Sequence, residues 1–243
     1  MPQVIDLSLS TPEENLALDE ALLQDSERSF ALQPSARKEW LRYWESTTLF
    51  VVLGVSSKLQ EDVDVAACER DGVPILRRAS GGGTVLQGPG CLNFSLVLSL
   101  AERPKLKDLT ASYRAILQRT ASGLRHDELQ WCGISDIATG DRKISGNAQK
   151  RTRHFVLHHG TLLYDFDIDL LTRYLKTPER QPDYRLARSH RQFCTNLPMS
   201  PIDIKSSLSK AWGARSNETE FSPPDLTPLI HEKYGRREWT ERF

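Results

Sequence analysis

The chain has 243 residues and a formal net charge of zero, because 32 lysines and arginines balance 32 aspartates and glutamates. This balance argues against a generally basic nucleic-acid-binding coat, and the short apolar stretches argue against a membrane span, so we expect neither nucleic acid nor membrane as a partner. The four cysteines contain no C-x-x-C pair, which predicts free thiols in a reducing, cytoplasmic compartment.

Helices and strands alternate along the chain. A Thr11-Pro12 start with Glu14 predicts a helix out to about Leu23, followed by a charged loop over 24–39. Further helices are predicted over 63–70, 109–123, 168–176, from Ser200-Pro201 onwards and near 226–234. Strands are predicted over 48–54, 73–76, 84–86, 92–98 and 154–165, with a hairpin in 136–144 and a surface loop over 178–189. This mixture predicts the α+β class.

The first candidate site is the glycine-rich segment Arg77-Arg78-Ala79-Ser80-Gly81-Gly82-Gly83-Thr84. Three consecutive glycines lose much backbone entropy on folding, but they let a ligand approach the main chain and can form an anion-binding concavity. The two preceding arginines add positive charge with bidentate geometry. A flexible turn with two solvated arginines remains the alternative. The segment matches neither the P-loop nor the G-x-G-x-x-G pattern.

The second candidate site surrounds Lys143, which follows the predicted hairpin turn and precedes the small residues Ser145 and Gly146. Its ammonium could bind an acyl carbonyl and a phosphate oxygen together. The alternative is a solvated surface lysine.

The third candidate is the segment His158-His159-Gly160-Thr161. Neighbouring strand residues face opposite sides, so the two histidines cannot easily bind one metal ion, and we expect no metal site. One histidine should lie in the core and the other should be exposed. Either one, acting as a base, would need a nucleophile and an orienting acid.

Together these segments resemble the catalytic domain of lipoate–protein ligases, a family grouped with octanoyltransferases and biotin protein ligases. The matching text is EENLALDEALL near the start, RRASGGGTV at 77–85, NFS at 93–95, GDRKISGNAQKR at 140–151, LHHGTLL at 157–163 and, more faintly, KYGRREW at 233–239. The resemblance implies a mixed, largely antiparallel sheet packed with helices. It also implies one catalytic domain over residues 1–243, without the C-terminal accessory domain of larger ligases.

The implied chemistry joins lipoate and ATP, with Mg²⁺, into lipoyl-adenylate and then passes the lipoyl group to a lysine of an acceptor-domain protein. A separate accessory protein could be a second partner. By resemblance, Lys143 would hold the acyl carbonyl and the α-phosphate. The residues implied to bind the acyl substrate are Arg78, Ser80, Gly81, Gly82, Gly83, His159 and Gly160. Those implied to bind the nucleotide are Asp136, Asn147, Ala148 and Thr161.

The chain also departs from the family text. Ser57 stands where ligases often carry glutamine, Gln87-Gly88 stands in place of a His-Asp pair, and Cys91 replaces a more usual asparagine. These departures leave the details of nucleotide and lipoyl-tail binding open.

Three alternatives to the ligase remain. An octanoyl or lipoyl transferase would work without ATP through a cysteine thioester, for which Cys132 lies before the lysine hairpin, although the expected Pro-Ser-x-Tyr-Glu text is absent. Cys91 is a weaker candidate for the thioester. A non-catalytic binding module would keep the fold but lose adenylation. The presence of Lys143 and the whole glycine turn argues against it. Biotin ligation is disfavoured because the Gly-Arg-Gly-Arg text of that branch is absent.

Overall fold

The computed structural model describes residues 1–35, 37–216 and 221–243, and only the backbone of Ser216. The strands are β1 (Gln3–Asp6), β2 (Trp40–Trp44), β3 (Phe50–Leu53), β4 (Ile75–Arg77), β5 (Val85–Gln87), β6 (Cys91–Ser99), β7 (Leu129–Cys132), β8 (Asp136–Thr139), β9 (Arg142–Arg151), β10 (Phe155–Leu163) and β11 (Arg215–Ser216). The helices are α1 (Pro12–Leu32), α2 (Leu59–Asp62), α3 (Val65–Asp71), α4 (Leu109–Leu124), α5 (Asp169–Tyr174), α6 (His190–Phe193), α7 (Pro201–Trp212), α8 (Thr227–Leu229) and α9 (Arg237–Thr240).

The strands form two sheets. The larger sheet has eight strands in the order β11-β1-β2-β6-β10-β9-β8-β7, and the smaller has three in the order β4-β3-β5. In the larger sheet β1 pairs in parallel with β11 and β2, whereas the remaining pairs are antiparallel. The predicted α+β class with a mixed, largely antiparallel sheet is therefore confirmed.

The first helix extends past its predicted end near Leu23 and runs to Leu32, so that end and most of the predicted charged loop over 24–39 are wrong. Tertiary partners explain the extension: Glu27 accepts hydrogen bonds from Thr152 and from the backbone of His154, and the Phe30 ring lies 4.7 Å from the His154 ring. The loop shrinks to 33–39, and within it Ala36 lies outside the described residues.

Two other predicted features differ from the structure. The helix expected near 226–234 is split into α8 and a π-helical turn at Ile230–Tyr234. Strands β1, β2, β7 and β11 and helices α2, α6 and α9 lie outside the predicted strands and helices. Among the described residues, no helix has the length and apolar character needed to cross a bilayer.

Three apolar clusters hold the fold together. One lies between the larger sheet and helices α4 and α7, with Phe94, Ile144 and Leu208 among its fully buried members. A second packs α1 against the opposite face of that sheet and against β3. A third packs the face of the smaller sheet that carries Val51, Leu53 and Leu86 on α3, α5 and α6. Residues of both sheets line one cavity, in which the candidate site lies.

Candidate functional site

A cavity of about 850 Å³ opens between the two sheets, within the size range of ordinary small-molecule sites. Its walls come from α1, β5, β6, β9, β10 and the segments 133–136 and 176–185. Of the residues predicted for the site, Lys143, Arg78, Gly83, His159, Gly160, Asp136, Asn147, Ala148 and Thr161 line it. Ser80, Gly81 and Gly82 do not line it: Ser80 is buried behind the wall, whereas Gly82 is exposed outside the cavity.

A β-bulge turns Lys143 towards the cavity. Ser145 and Lys143 of β9 face consecutive residues of β8, which leaves Ile144 as an extra residue. In a regular strand Lys143 and Ser145 would share the core face, but one inserted residue reverses the alternation. Ile144 joins the core instead, and the Lys143 ammonium lies over Gly146, where a Cβ would stand 2.9 Å from Nζ. The alternative of a solvated surface lysine therefore does not describe Lys143.

Asp136 holds the Lys143 ammonium. Its Oδ1 lies 2.8 Å from Lys143 Nζ, and its Oδ2 accepts a hydrogen bond of 2.8 Å from the Tyr184 hydroxyl. Burial lowers the pKa of Lys143, but the charge and hydrogen bond of Asp136 and the neighbouring Cys194 together outweigh that effect, so the pKa is raised. An ammonium has three donors, and within the described residues Asp136 occupies one of them. The others remain available to a ligand in the cavity.

A buried hydrogen-bond chain orients Asn147. Burial lowers the pKa of His158 to about 3, so its imidazole is neutral at physiological pH. The bond pattern assigns its tautomer: Nδ1 accepts from Gln149, and Nε2 donates to Asn147 Oδ1 at 3.3 Å. Asn147 in turn donates to the Ser135 carbonyl. Gly160 is required beside this chain, because a Cβ there would lie 1.9 Å from Asn147 Oδ1.

Of the two neighbouring histidines, one was expected in the core, and His158 is that one, since it is fully buried. The side chain of His159 is 15% exposed and lies on the opposite face, in the cavity wall. Its Nε2 is hydrogen-bonded to the Ser80 hydroxyl at 2.5 Å, and its Nδ1 lies 3.7 Å from Asp19. Ser80 is 2% exposed, so it anchors the imidazole from behind the cavity wall.

Arg78 organises the glycine turn. Its Nη2 donates to the carbonyls of Gly81 and Gly83, at 2.6 and 2.8 Å, and its Nε donates to Ser80. Most of the guanidinium N–H groups therefore donate to acceptors within the protein. These bonds fix the glycine turn, in which Gly82 has φ = +83°.

Arg77 points away from the cavity. It donates to the carbonyls of Gly54, Ser57 and Thr240, so it does not add the expected positive charge at the glycine turn. Successive residues at the end of a strand face opposite sides, which separates the two arginines.

Asp19 was not singled out from the sequence, although it lies within the quoted text EENLALDEALL. It lines the cavity and pairs with Arg42 at 2.7 Å, and Ser95 donates to it at 2.6 Å. Burial acts to raise the pKa of Asp19, but Arg42, His159 and Ser95 together lower it. Asp19 is therefore a buried carboxylate that supports His159.

A second unpredicted feature is a closed ring of hydrogen bonds in the cavity wall. Gln87 donates to Thr161 at 2.6 Å, Thr161 donates to Asn93 at 2.9 Å, and Asn93 donates back to Gln87 at 3.0 Å. The sequence marked Gln87 only as a departure from the family text. The structure shows that this glutamine fixes the Thr161 hydroxyl.

The predicted surface loop over 178–189 keeps exposed residues such as Leu186, and it also forms a wall of the cavity. Tyr184 and Arg185 from this segment line it, and Arg185 is only 4% exposed. The polar, proline-bearing composition indicated the loop but not its burial, because the burial comes from contacts with Asp136 and Phe193.

The two thiols nearest this region differ in position. Cys132, the predicted thioester candidate, faces Asp136 across the β7–β8 hairpin and lies outside the cavity lining. Cys194 lines the cavity beside Lys143. Burial raises the pKa of both thiols, so neither is a preformed thiolate. Cys91 is fully buried, and burial raises its pKa further. Within the described residues no group of three His, Cys, Asp or Glu side chains is placed to hold a metal ion.

Comparison with known proteins identifies similar chains. The family model of the lipoyl protein ligase A/B catalytic domain matches residues 11–206. An octanoyltransferase LipM of Carboxydothermus hydrogenoformans is 29% identical, with 95% of this chain and 94% of that protein covered. The lipoate-protein ligase A subunit 1 of Thermoplasma acidophilum is 27% identical, with 93% and 90% covered. Both relatives are enzymes.

A solved lipoate-protein ligase A bound with ATP superposes with a TM-score of 0.80 at 22% identity, covering 99% of this chain and 98% of that one. This agreement confirms the predicted fold of the lipoate-ligase type. The resemblance inferred from the sequence is likewise confirmed by the family match.

Proposed function

The chain belongs to the lipoyl protein ligase A/B catalytic-domain family, and from that premise we propose that it is an ATP-dependent lipoate–protein ligase. It would activate lipoate to lipoyl-adenylate and pass the lipoyl group to a lysine of an acceptor domain. The observation that carries the proposal is the Lys143 ammonium, held by Asp136 inside the cavity with donors left over.

In the first step a lipoate carboxylate oxygen attacks the α-phosphorus of ATP, and pyrophosphate leaves with the electrons of the broken bond. Negative charge gathers on the phosphate oxygens, and a fixed cation stabilises it. The 2.8 Å pair with Asp136, which orients the ammonium, supports this role for Lys143. Mg²⁺ would enter with ATP and neutralise part of the phosphate charge.

In the second step the acceptor lysine amine attacks the acyl carbonyl of lipoyl-adenylate, and AMP leaves. The carbonyl oxygen becomes an oxyanion, to which a free Lys143 N–H can donate. Removing one such donor costs about 3–4 kcal/mol of barrier, or roughly 10²–10³ in rate. His159, Thr161 and Asn147 would position the substrates, since each is fixed by its own hydrogen bonds.

The partner would be an acceptor-domain protein, and a separate accessory subunit is a further candidate, since the T. acidophilum relative is named a subunit. The ATP-bound ligase that shares this fold supports ATP as the co-substrate.

A transferase that works without ATP is the second candidate function. The 29% identical relative named an octanoyltransferase favours it. Against Cys132 as its nucleophile stand that residue's position off the cavity wall and its raised pKa. Cys194 is the thiol on the wall, so it is the residue to test beside Cys132.

The deciding experiment incubates the protein with a lipoyl acceptor domain and either lipoate plus ATP·Mg²⁺ or octanoyl carrier protein. We expect modified acceptor, detected by mass spectrometry, only with ATP, and loss of product in Lys143→Ala with the fold retained. ATP-independent transfer abolished by Cys132→Ser or Cys194→Ser would establish the transferase. Acceptor binding without turnover under either condition would indicate the binding module.

A further inference from the structure

Arg77 is fully buried, although it lies outside the cavity lining. Its Nη1 donates to the carbonyls of Gly54 and Ser57, each at 2.7 Å, and its Nε donates to the Thr240 carbonyl at 2.9 Å. Burying a guanidinium costs free energy that an apolar side chain of similar volume would not. What the arginine supplies in return is a fixed arrangement of separate backbone segments around one side chain.

The 54–57 turn that Arg77 holds lies directly behind the glycine turn. The Ser57 N–H closes this turn by donating to the Gly54 carbonyl at 3.1 Å. A Cβ at Gly54 would stand 1.9 Å from the carbonyl oxygen of Gly82, so the two turns are in main-chain contact. Because residues 54–57 lie outside the cavity lining, they support the glycine turn from behind.

The segment at 233–239, which matched the family text only faintly, fixes Arg77 from the other side. Trp239 Nε1 donates to the Arg77 carbonyl at 2.8 Å. The hydroxyl of Tyr234 donates to Glu20 of α1 at 2.6 Å. The segment is thus attached both to α1 and to the end of β4, and it holds Arg77 by its main chain as well as by its side chain.

The glycine turn is the part of this assembly that a ligand would meet, since Gly83 lines the cavity. A Cβ at Gly82 would stand 3.6 Å from the Cβ of Ala148, so the turn lies across β9 at that residue. Ala148 and Gly146 share the cavity face of β9, about 6–7 Å apart at two residues' separation. The Lys143 ammonium lies over Gly146, so the turn borders the cavity beside the proposed reacting group.

We propose that Arg77 is a positioning residue that holds the 54–57 turn against the glycine turn and thereby sets the fit of the cavity to the acyl substrate. This proposal rests on the proposed function in taking lipoate as that substrate. Because the glycine turn lies beside the Lys143 ammonium, its contacts are the same before and during the reaction. Loss of such uniform contacts raises KM and leaves kcat nearly unchanged. A residue needed only for folding would instead reduce the amount of active enzyme at constant KM.

The test measures lipoate binding by calorimetry and the kinetics of ATP-dependent lipoyl transfer. Arg77→Lys keeps the charge but cannot reach the three carbonyls together, so Kd and KM for lipoate should rise about tenfold, with kcat within about threefold of the wild type. Gly54→Ala should give the same pattern without changing Arg77, because its Cβ must displace the Gly82 carbonyl. Trp239→Phe loses one N–H bond to the Arg77 carbonyl and should give a smaller rise, of about threefold.

The matched control is Arg119→Lys. Arg119 likewise donates to a backbone carbonyl, that of Ala211 at 2.8 Å, and its guanidinium carbon lies 4.6 Å from the centre of the Trp212 ring. It joins α4 to α7, however, on the face of the larger sheet away from α1 and outside the cavity lining. Kd and KM for lipoate should therefore stay within about twofold of the wild type in this variant.

Thermal unfolding establishes that each variant folds, and Gly54→Ala and Trp239→Phe carry the test if Arg77→Lys does not fold. Wild-type lipoate affinity in the folded variants overturns the proposal, as does a fall in kcat at constant KM, an equal loss in Arg119→Lys or an absence of lipoate binding by the wild type. The two claims separate cleanly. Transfer with lipoate binding insensitive to Arg77 and Gly54 removes the positioning role alone, whereas lipoate binding that depends on them without ATP-dependent transfer removes the ligase alone.

Discussion

Gly146→Ala should impair the proposed chemistry without weakening the fold. A Cβ at this position would lie 2.9 Å from Lys143 Nζ and 3.0 Å from Cε, both well inside van der Waals contact. Carbon contacts are optimal near 3.5–4.0 Å, so the ammonium must move by about 0.5–1 Å. The lysine tip is flexible and can yield, and the move separates it from Asp136, which lies at 2.8 Å in the wild type.

The expected magnitudes follow from that displacement. A misplacement of about 1 Å in a reacting group can cost on the order of 10²-fold in rate, so we expect a loss of about 10- to 100-fold. Alanine within a strand is about 0.5–1 kcal/mol more favourable than glycine, so the free energy of unfolding should stay constant or rise.

The assay pairs single-turnover lipoyl transfer at saturating substrate with urea denaturation. Gly72→Ala is the control, because this glycine lies outside the cavity lining and a Cβ there would have no heavy atom within 4 Å. Its rate should match that of the wild type, although its φ of +65° should lower the free energy of unfolding by about 1 kcal/mol. A Gly146→Ala enzyme with the wild-type rate would refute the reasoning that the bulge places Lys143 over this glycine.

Three further predictions concern a thiol, a histidine and a carboxylate. Cys132→Ser should leave ATP-dependent transfer within about twofold of the wild type, since the thiol lies off the cavity wall and its pKa is raised; a loss of about 100-fold would contradict this. The pKa of His158 is lowered from 6.5 to about 3 by burial, so below pH 6.5 the unfolded state binds a proton that the folded state does not. The wild type should therefore lose about 2 kcal/mol of stability between about pH 7.5 and 5 relative to His158→Gln, read from urea midpoints, and parallel curves would exclude this contribution. Asp19→Asn leaves the buried Arg42 without its charged partner and should lower the free energy of unfolding by about 3–5 kcal/mol. Asp6→Asn, which breaks an exposed pair with Lys205, should lower it by less than about 1 kcal/mol. Equal losses in the two variants would show that burial of the pair does not decide the effect.

Local chemistry made much of this fold readable from the sequence. The Thr11 capping box, the Gly72 helix end and the helix start at Ser200-Pro201 all lie where short-range patterns place them. These features depend on hydrogen bonds within a few residues, so the chain encodes them locally. Motif order likewise identified the family and the Lys143 and glycine-turn segments that line one cavity.

Features that depend on residues far away along the chain could not be predicted from the sequence. The extension of α1 to Leu32 requires Thr152 and His154, which are far from it along the chain. The 178–189 segment has the composition of a surface loop, and contacts with Asp136 and Phe193 make it a wall of the cavity.

The direction in which Lys143 points was decided in the same way. Its position in the sequence marked it as a candidate, but strand alternation alone would have sent its side chain into the core. One extra residue in the pairing of two strands reverses that direction, and register between strands is a property of the folded sheet rather than of either strand. The residue types of the site are thus set by the sequence, whereas their convergence on one cavity is set by tertiary packing.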